Sequence, residues 1–112
     1  MNIDVYVSKL NTVLIDPCIT INSGVKNGYK ACFKFQQQWN EKLVLYAVFK
    51  PVNDVPISIL LDENNCCTIP PQIYKRFAKL GIGVKGVLKQ GEEIIQQEST
   101  NLRYIPINNS GY

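Results

Sequence analysis

The sequence predicts one all-β domain spanning residues 1–112, an immunoglobulin-like or jelly-roll-like β-sandwich with one short helix near residues 71–79. Three observations carry that expectation. Short runs of alternating apolar and polar residues recur along the chain, each bounded by Gly, Asn, Asp or Pro. A chain of 112 residues, 46% of them apolar, is long enough to bury one core and too short for a second. Only one segment switches to helical spacing, and it follows Pro70-Pro71, where the second proline suits the first turn of a helix.

The elements follow in order. Ile3, Val5 and Val7 alternate against Asp4, Tyr6 and Ser8, which predicts a first strand with one buried face. Residues 12–15 and 18–21 flank Asp16-Pro17, where the missing backbone donor predicts a bend or an edge. Asn22-Ser23-Gly24 and Asn27-Gly28 read as turns. Tyr29, Ala31, Phe33 and Phe35 then share a face opposite Lys30, Lys34 and Gln36, a half-buried strand with its aromatics inward.

Trp39, the only tryptophan, sits in a polar connection and is expected to cover the end of the core. Residues 43–49 are apolar on both faces, which predicts a central strand covered on both sides, with residues 55–61 as its hairpin partner across Pro51-Val52-Asn53-Asp54. A second turn at Asp62-Glu63-Asn64-Asn65 leads into a strand over 66–69. Ile73, Phe77 and Leu80 fall on one helical face, and Gly81 is expected to stop that helix. Alternation resumes after Gly81, where the closely spaced glycines predict a bulge or a close backbone crossing. A tight turn at Gln90-Gly91-Glu92 and strands over 93–97 and 102–107 complete about seven to nine strands.

The same residues exclude several classes of function. There is no histidine, which removes the commonest general base and metal ligand together, and no two cysteines are spaced for zinc. Asp62-Glu63 and Glu92-Glu93 are adjacent acids in predicted turns, where carboxylates are normally solvated. Gly81-Ile82-Gly83-Val84-Lys85-Gly86 lacks the strand-to-long-helix context of a phosphate loop. The expectation is therefore a non-enzyme with no cofactor and no metal. Residues 1–15 have charges inside their apolar pattern and read as neither signal peptide nor membrane span. Without a secretory signal or a dense cysteine framework, Cys18, Cys32, Cys66 and Cys67 are expected to be reduced thiols.

The net charge of +3 is unevenly distributed. Residues 64–90 contain no acid, while Lys75, Arg76, Lys79, Lys85 and Lys89 all fall there. A basic face of this kind serves either solubility or docking on an acidic partner. Nucleic acid is the disfavoured partner, because strand alternation places most aromatics opposite the lysines and not among them.

A resemblance narrows the reading. Ala47-Val48-Phe49-Lys50, Val55-Pro56-Ile57, Asp62-Glu63-Asn64-Asn65, Cys67-Thr68-Ile69-Pro70, Ile82-Gly83-Val84-Lys85-Gly86-Val87, Gly91 and Ile105-Pro106-Ile107 occur in an order and spacing. That order resembles a β-sandwich module of structural proteins from tailed phages of Gram-positive bacteria. The match covers about residues 43–110. It departs from the pattern at Pro51-Val52-Asn53-Asp54, where a Gly-Asp or Asn-Gly turn is expected, and at Pro71, where such modules often carry an aromatic.

The resemblance implies a phage virion structural protein, assembled in the host cytoplasm. A capsid decoration (head-accessory) protein on the assembled capsid is the leading expectation, and a baseplate or tail component is the alternative. In longer relatives the module looks like an N-terminal domain joined to fibre or baseplate segments. Implied partners are the major capsid protein or other virion proteins, with self-association left open and no membrane. Candidate contact residues are Pro71, Lys75, Arg76 and Lys79. The other alternative is a carbohydrate-binding module for attachment to the host wall, with Tyr6, Tyr29 and Trp39 as stacking candidates.

Overall fold

The computed structural model describes residues 2–22, 28–74 and 79–108. Ten strands form among them: β1 Asn2–Val7, β2 Val13–Leu14, β3 Ile21–Asn22, β4 Tyr29–Phe35, β5 Val44–Pro51, β6 Ile57–Leu60, β7 Cys66–Ile69, β8 Lys79–Gln90, β9 Glu93–Ser99 and β10 Arg103–Asn108. The helix α1, Pro71–Tyr74, lies between β7 and β8. One sheet has the order β2-β1-β4-β7 and the other β3-β10-β8-β5-β6, with β9 pairing β8 outside that path. Both sheets are mixed: β1 runs parallel to β4 and β3 parallel to β10, and the remaining pairs are antiparallel. They pack face to face as a β-sandwich, the predicted class.

The core lies between the sheets and comes from the alternating positions. Ile3, Val5, Val7, Tyr29, Ala31, Phe33, Cys67 and Ile69 face inward from the first sheet. Ala47, Phe49, Leu80, Ile82, Val84, Ile105 and Ile107 meet them from the second. Trp39 packs against this cluster, as its position beside a turn suggests. Both predicted turns close as expected. Asp54 N–H donates to the Pro51 carbonyl at 3.2 Å, and Asn65 N–H to the Asp62 carbonyl at 3.0 Å. Asn53 and Asn65 take the left-handed conformation that asparagine tolerates, with φ of 64° and 59°.

Four expectations are corrected. The helix ends before Lys79, because Lys79 and Leu80 already belong to β8, so Leu80 is a buried strand residue and Gly81 lies within the strand. Phe77 is outside the described residues. Pairing of β8 with β5 and β10 supplies backbone bonds that a short isolated helix could not match.

Secondly, Cys32 and Cys66 form a disulfide between β4 and β7. Phe33 N–H donates to the Asn65 carbonyl, so the neighbouring pair Cys32 and Cys66 is a non-hydrogen-bonded one, in which side chains approach most closely. Thirdly, β5 is covered on one face only. Its inward Ala47 and Phe49 are fully buried, whereas Val44 is exposed and Tyr46 and Val48 are half-buried. Fourthly, the described residues hold ten strands, more than expected, because the two short runs beside Asp16-Pro17 each pair separately, β2 with β1 and β3 with β10.

The glycines of β8 mark close approaches. A Cβ on Gly83 would lie 2.9 Å from the Asn101 carbonyl oxygen, and one on Gly81 would lie 3.0 Å from the Tyr104 ring. At the other end β8 outruns β5, whose pairing stops at Val44 opposite Val87. Beyond that point β8 and β9 continue as a ribbon around Gly91, with Ile94 and Ile95 about half-exposed. The two-residue turn needs a left-handed residue at its first position, and Gly91 has φ of 64°.

Candidate docking surface

Of the expected basic contact residues, Pro71 opens α1 and is exposed, and Lys79 is exposed at the start of β8. Lys75 and Arg76 lie outside the described residues. The aromatic candidates do not share a face. Tyr6 projects outward from β1, about half-exposed, with the Lys34 ammonium 5.9 Å from its ring centre. Tyr29 is 1% exposed and its hydroxyl accepts the Asn22 N–H at 2.8 Å, so its ring offers no surface to a sugar. Trp39 is half-buried, edge-on to Phe35 at 5.1 Å, and donates Nε1–H to Asn11 Oδ1 at 3.1 Å.

A different surface stands out on the outer face of the second sheet. Pleating sends alternate residues of adjacent strands to the same side. The registers place Tyr46 beside Leu60 and Lys85, Val44 beside Val87, and Val48 beside Ser58 and Gly83. Val44 is 47% and Leu60 58% exposed. Lys85 lies over the Tyr46 ring, 5.9 Å from its centre. Two shallow hollows open on this face. One, of about 210 Å³, is lined by Val48, Lys50, Pro56, Gly83, Lys85 and Leu102 among others. The second, of about 160 Å³, is lined by Val44, Tyr46, Val87, Leu88 and Lys89. The sequence carried a signal for this surface in the two-faced apolar run over 43–49.

At the end of the sandwich, a cleft of about 380 Å³ lies between the sheets beside Trp39, with Phe35, Leu45, Leu61, Glu41, Asp62 and Glu63 in its walls. Asp62 is committed to its own turn: its Oδ1 accepts the N–H groups of Cys66 and Asn64, each at 2.9 Å. These bonds, that from Cys66 above all, hold its carboxyl below the ordinary value, with a smaller push in the same direction from Lys30 and an opposing one from desolvation. Burial pushes the Cys67 thiol up to about 11, the Asp62 charge adding to it, so at neutral pH this thiol is protonated and unreactive. Among the described residues no group of three or more Cys, Asp or Glu is placed to hold a metal ion, and no helix is long and apolar enough to cross a membrane.

No protein-family model matches the chain, and no curated protein matches it in sequence. Solved structures do match. The N-terminal domain of phage TP901-1 ORF48 superposes with a TM-score of 0.64 over 95% of this chain and 97% of that one, at 13% sequence identity. The two share one fold. Near-complete coverage in both directions means that the shared fold extends over nearly the whole of both chains.

Proposed function

We propose that this chain is a non-enzymatic structural protein of a phage virion that works by docking on other virion proteins. The observation that carries the reading is the fold shared over nearly the full length with the N-terminal domain of phage TP901-1 ORF48. It agrees with the motif order over residues 43–110, which resembles structural modules of tailed phages of Gram-positive hosts.

Two positions in the particle fit a docking domain. A head-decoration protein binds the assembled shell in preference to free subunits and stabilises it by linkage, with the major capsid protein as its partner. Repeated weak contacts to neighbouring capsomers raise the effective concentration of each further contact. A baseplate or tail position is the second reading, and it follows from the sequence resemblance, in which the module is an N-terminal domain joined to fibre or baseplate segments.

The deciding experiment is fractionation of purified particles into heads and tails, with this protein quantified in each by mass spectrometry. A fixed stoichiometry in heads is the outcome expected for decoration, and one in tails for the baseplate reading. Absence from purified particles, or saturable binding to host-wall polysaccharide with none to particles, would overturn the virion reading.

A further inference from the structure

We infer that the outer face of the second sheet, centred on Tyr46 of β5, is a docking surface for a protein partner that presents apolar side chains flanked by carboxylates. The inference rests on the virion reading and names the surface and the chemistry of its partner. A central strand that is apolar on both faces normally has both faces covered. Here the described residues cover one. Ala47 and Phe49 are sealed in the core, while Val44, Tyr46 and Val48 look outward, joined by Leu60 from β6 and Val87 from β8. These residues are contiguous across three hydrogen-bonded strands, so they form a patch and not scattered exposed side chains.

Charge decides what kind of partner fits. Lys50, Lys85 and Lys89 line the two hollows of this face, and no acidic residue lines either. The salt bridge found among the described residues, Lys34 to Asp4, lies on the other sheet. An apolar centre inside a basic rim matches apolar anchors surrounded by carboxylates, and the rim sets the association rate and orientation. The same charges argue against face-to-face pairing of two copies through this surface, which would bring lysine against lysine.

Relief on the patch also favours inserted side chains over a flat contact. The larger hollow is walled by Val48, Lys50, Pro56 and Leu102, with the 100–102 segment packed closely over Gly83 on one side of it. Tyr46 stands beside it under Lys85, an aromatic anchor of the type that dominates binding energy at interfaces.

The test uses particles assembled without this protein, separated into heads and tails, and the purified full chain added back. Lys50→Glu with Lys85→Glu reverses the rim, and Tyr46→Ala removes the anchor. Lys30→Glu with Lys34→Glu does the same on the opposite sheet as a control. All four lysines are on strand surfaces, and unchanged thermal melting establishes that each variant folds. The expected result is binding of the wild type, a loss of about tenfold or more in both second-sheet variants, and a change within about twofold in the control. Equal binding by all variants overturns this inference and leaves the virion reading standing. Failure of the wild type to bind either fraction removes both. A purified chain that sediments as a dimer, dissociated by Tyr46→Ala, identifies a second copy as the occupant and overturns the acidic partner.

Discussion

At the scale of single residues, Asp62 and Cys67 show how local geometry sets chemistry. Asp62 keeps its charge because its Oδ1 accepts two backbone N–H groups, so its folded pKa lies below the ordinary 3.8. A lowered carboxylate pKa contributes stability that is present above the unfolded value and lost as pH falls through the folded one. Urea titrations on either side of pH 3.8 should therefore show the wild type losing more stability on acidification than Asp62→Asn, which keeps an acceptor and lacks the charge.

Cys67 behaves in the opposite sense. Its folded pKa is raised from 9.0 to about 11, so its contribution is complete below 9.0 and is lost as pH rises through the folded value. At neutral pH the expected outcome is slow alkylation of Cys67 and rapid alkylation of exposed Cys18, read as one added label by mass spectrometry under native, non-reducing conditions. A second label in the folded protein would contradict either the burial of Cys67 or the Cys32–Cys66 bridge, and a third would contradict the bridge itself.

Elements are held by pairings between segments distant in sequence. The Cys32–Cys66 disulfide ties β7 to β4 across 34 residues, a loop that includes β5 and β6 of the opposite sheet. Constraining a loop of that length in the unfolded chain is worth about 3–4 kcal/mol. Replacing both cysteines by alanine should lower stability by about that amount in denaturant titrations. Reduction of the wild type should reproduce the loss.

In β8 the close approach at Gly83 gives a second expectation. Its added Cβ would meet a backbone oxygen at 2.9 Å, which cannot rotate away. Gly83→Ala should cost about 1–3 kcal/mol, measured by thermal or urea unfolding.

At the scale of the whole molecule, two features stand out: elongation and non-local topology. The radius of gyration is 14.2 Å and the extents are 46 × 28 × 24 Å. A compact domain of this length is expected near 13 Å, and the ribbon of β8 and β9 beyond Val44 contributes to the difference. The parallel pairing of β1 with β4 and the joining of β3 to β10 bring together segments from different parts of the chain. Such topologies close long loops before their contacts reward it. Refolding followed by stopped-flow Trp39 fluorescence should accordingly fall in the millisecond-to-second range, and microsecond folding would be inconsistent with this sheet order.

The sequence by itself determined the class and much of the local detail. Alternation fixed which face of β1 and β4 is buried, because side chains of a strand must point to opposite sides. Asn53, Asn65 and Gly91 marked the turns, because few other residues tolerate left-handed backbone there. Tertiary structure decided what depends on partners. The disulfide required β7 to lie against β4 in the register that sets Cys32 opposite Cys66, and no local pattern encodes register between distant strands. Residues 79–81 joined β8 because β5 and β10 offered their edges, overriding a helical spacing that was only local. The outward face of β5 was legible as apolar from the first reading. That the described residues leave it uncovered became visible only once the sheets were stacked, because a residue pattern records what a face prefers and packing determines what lies against it.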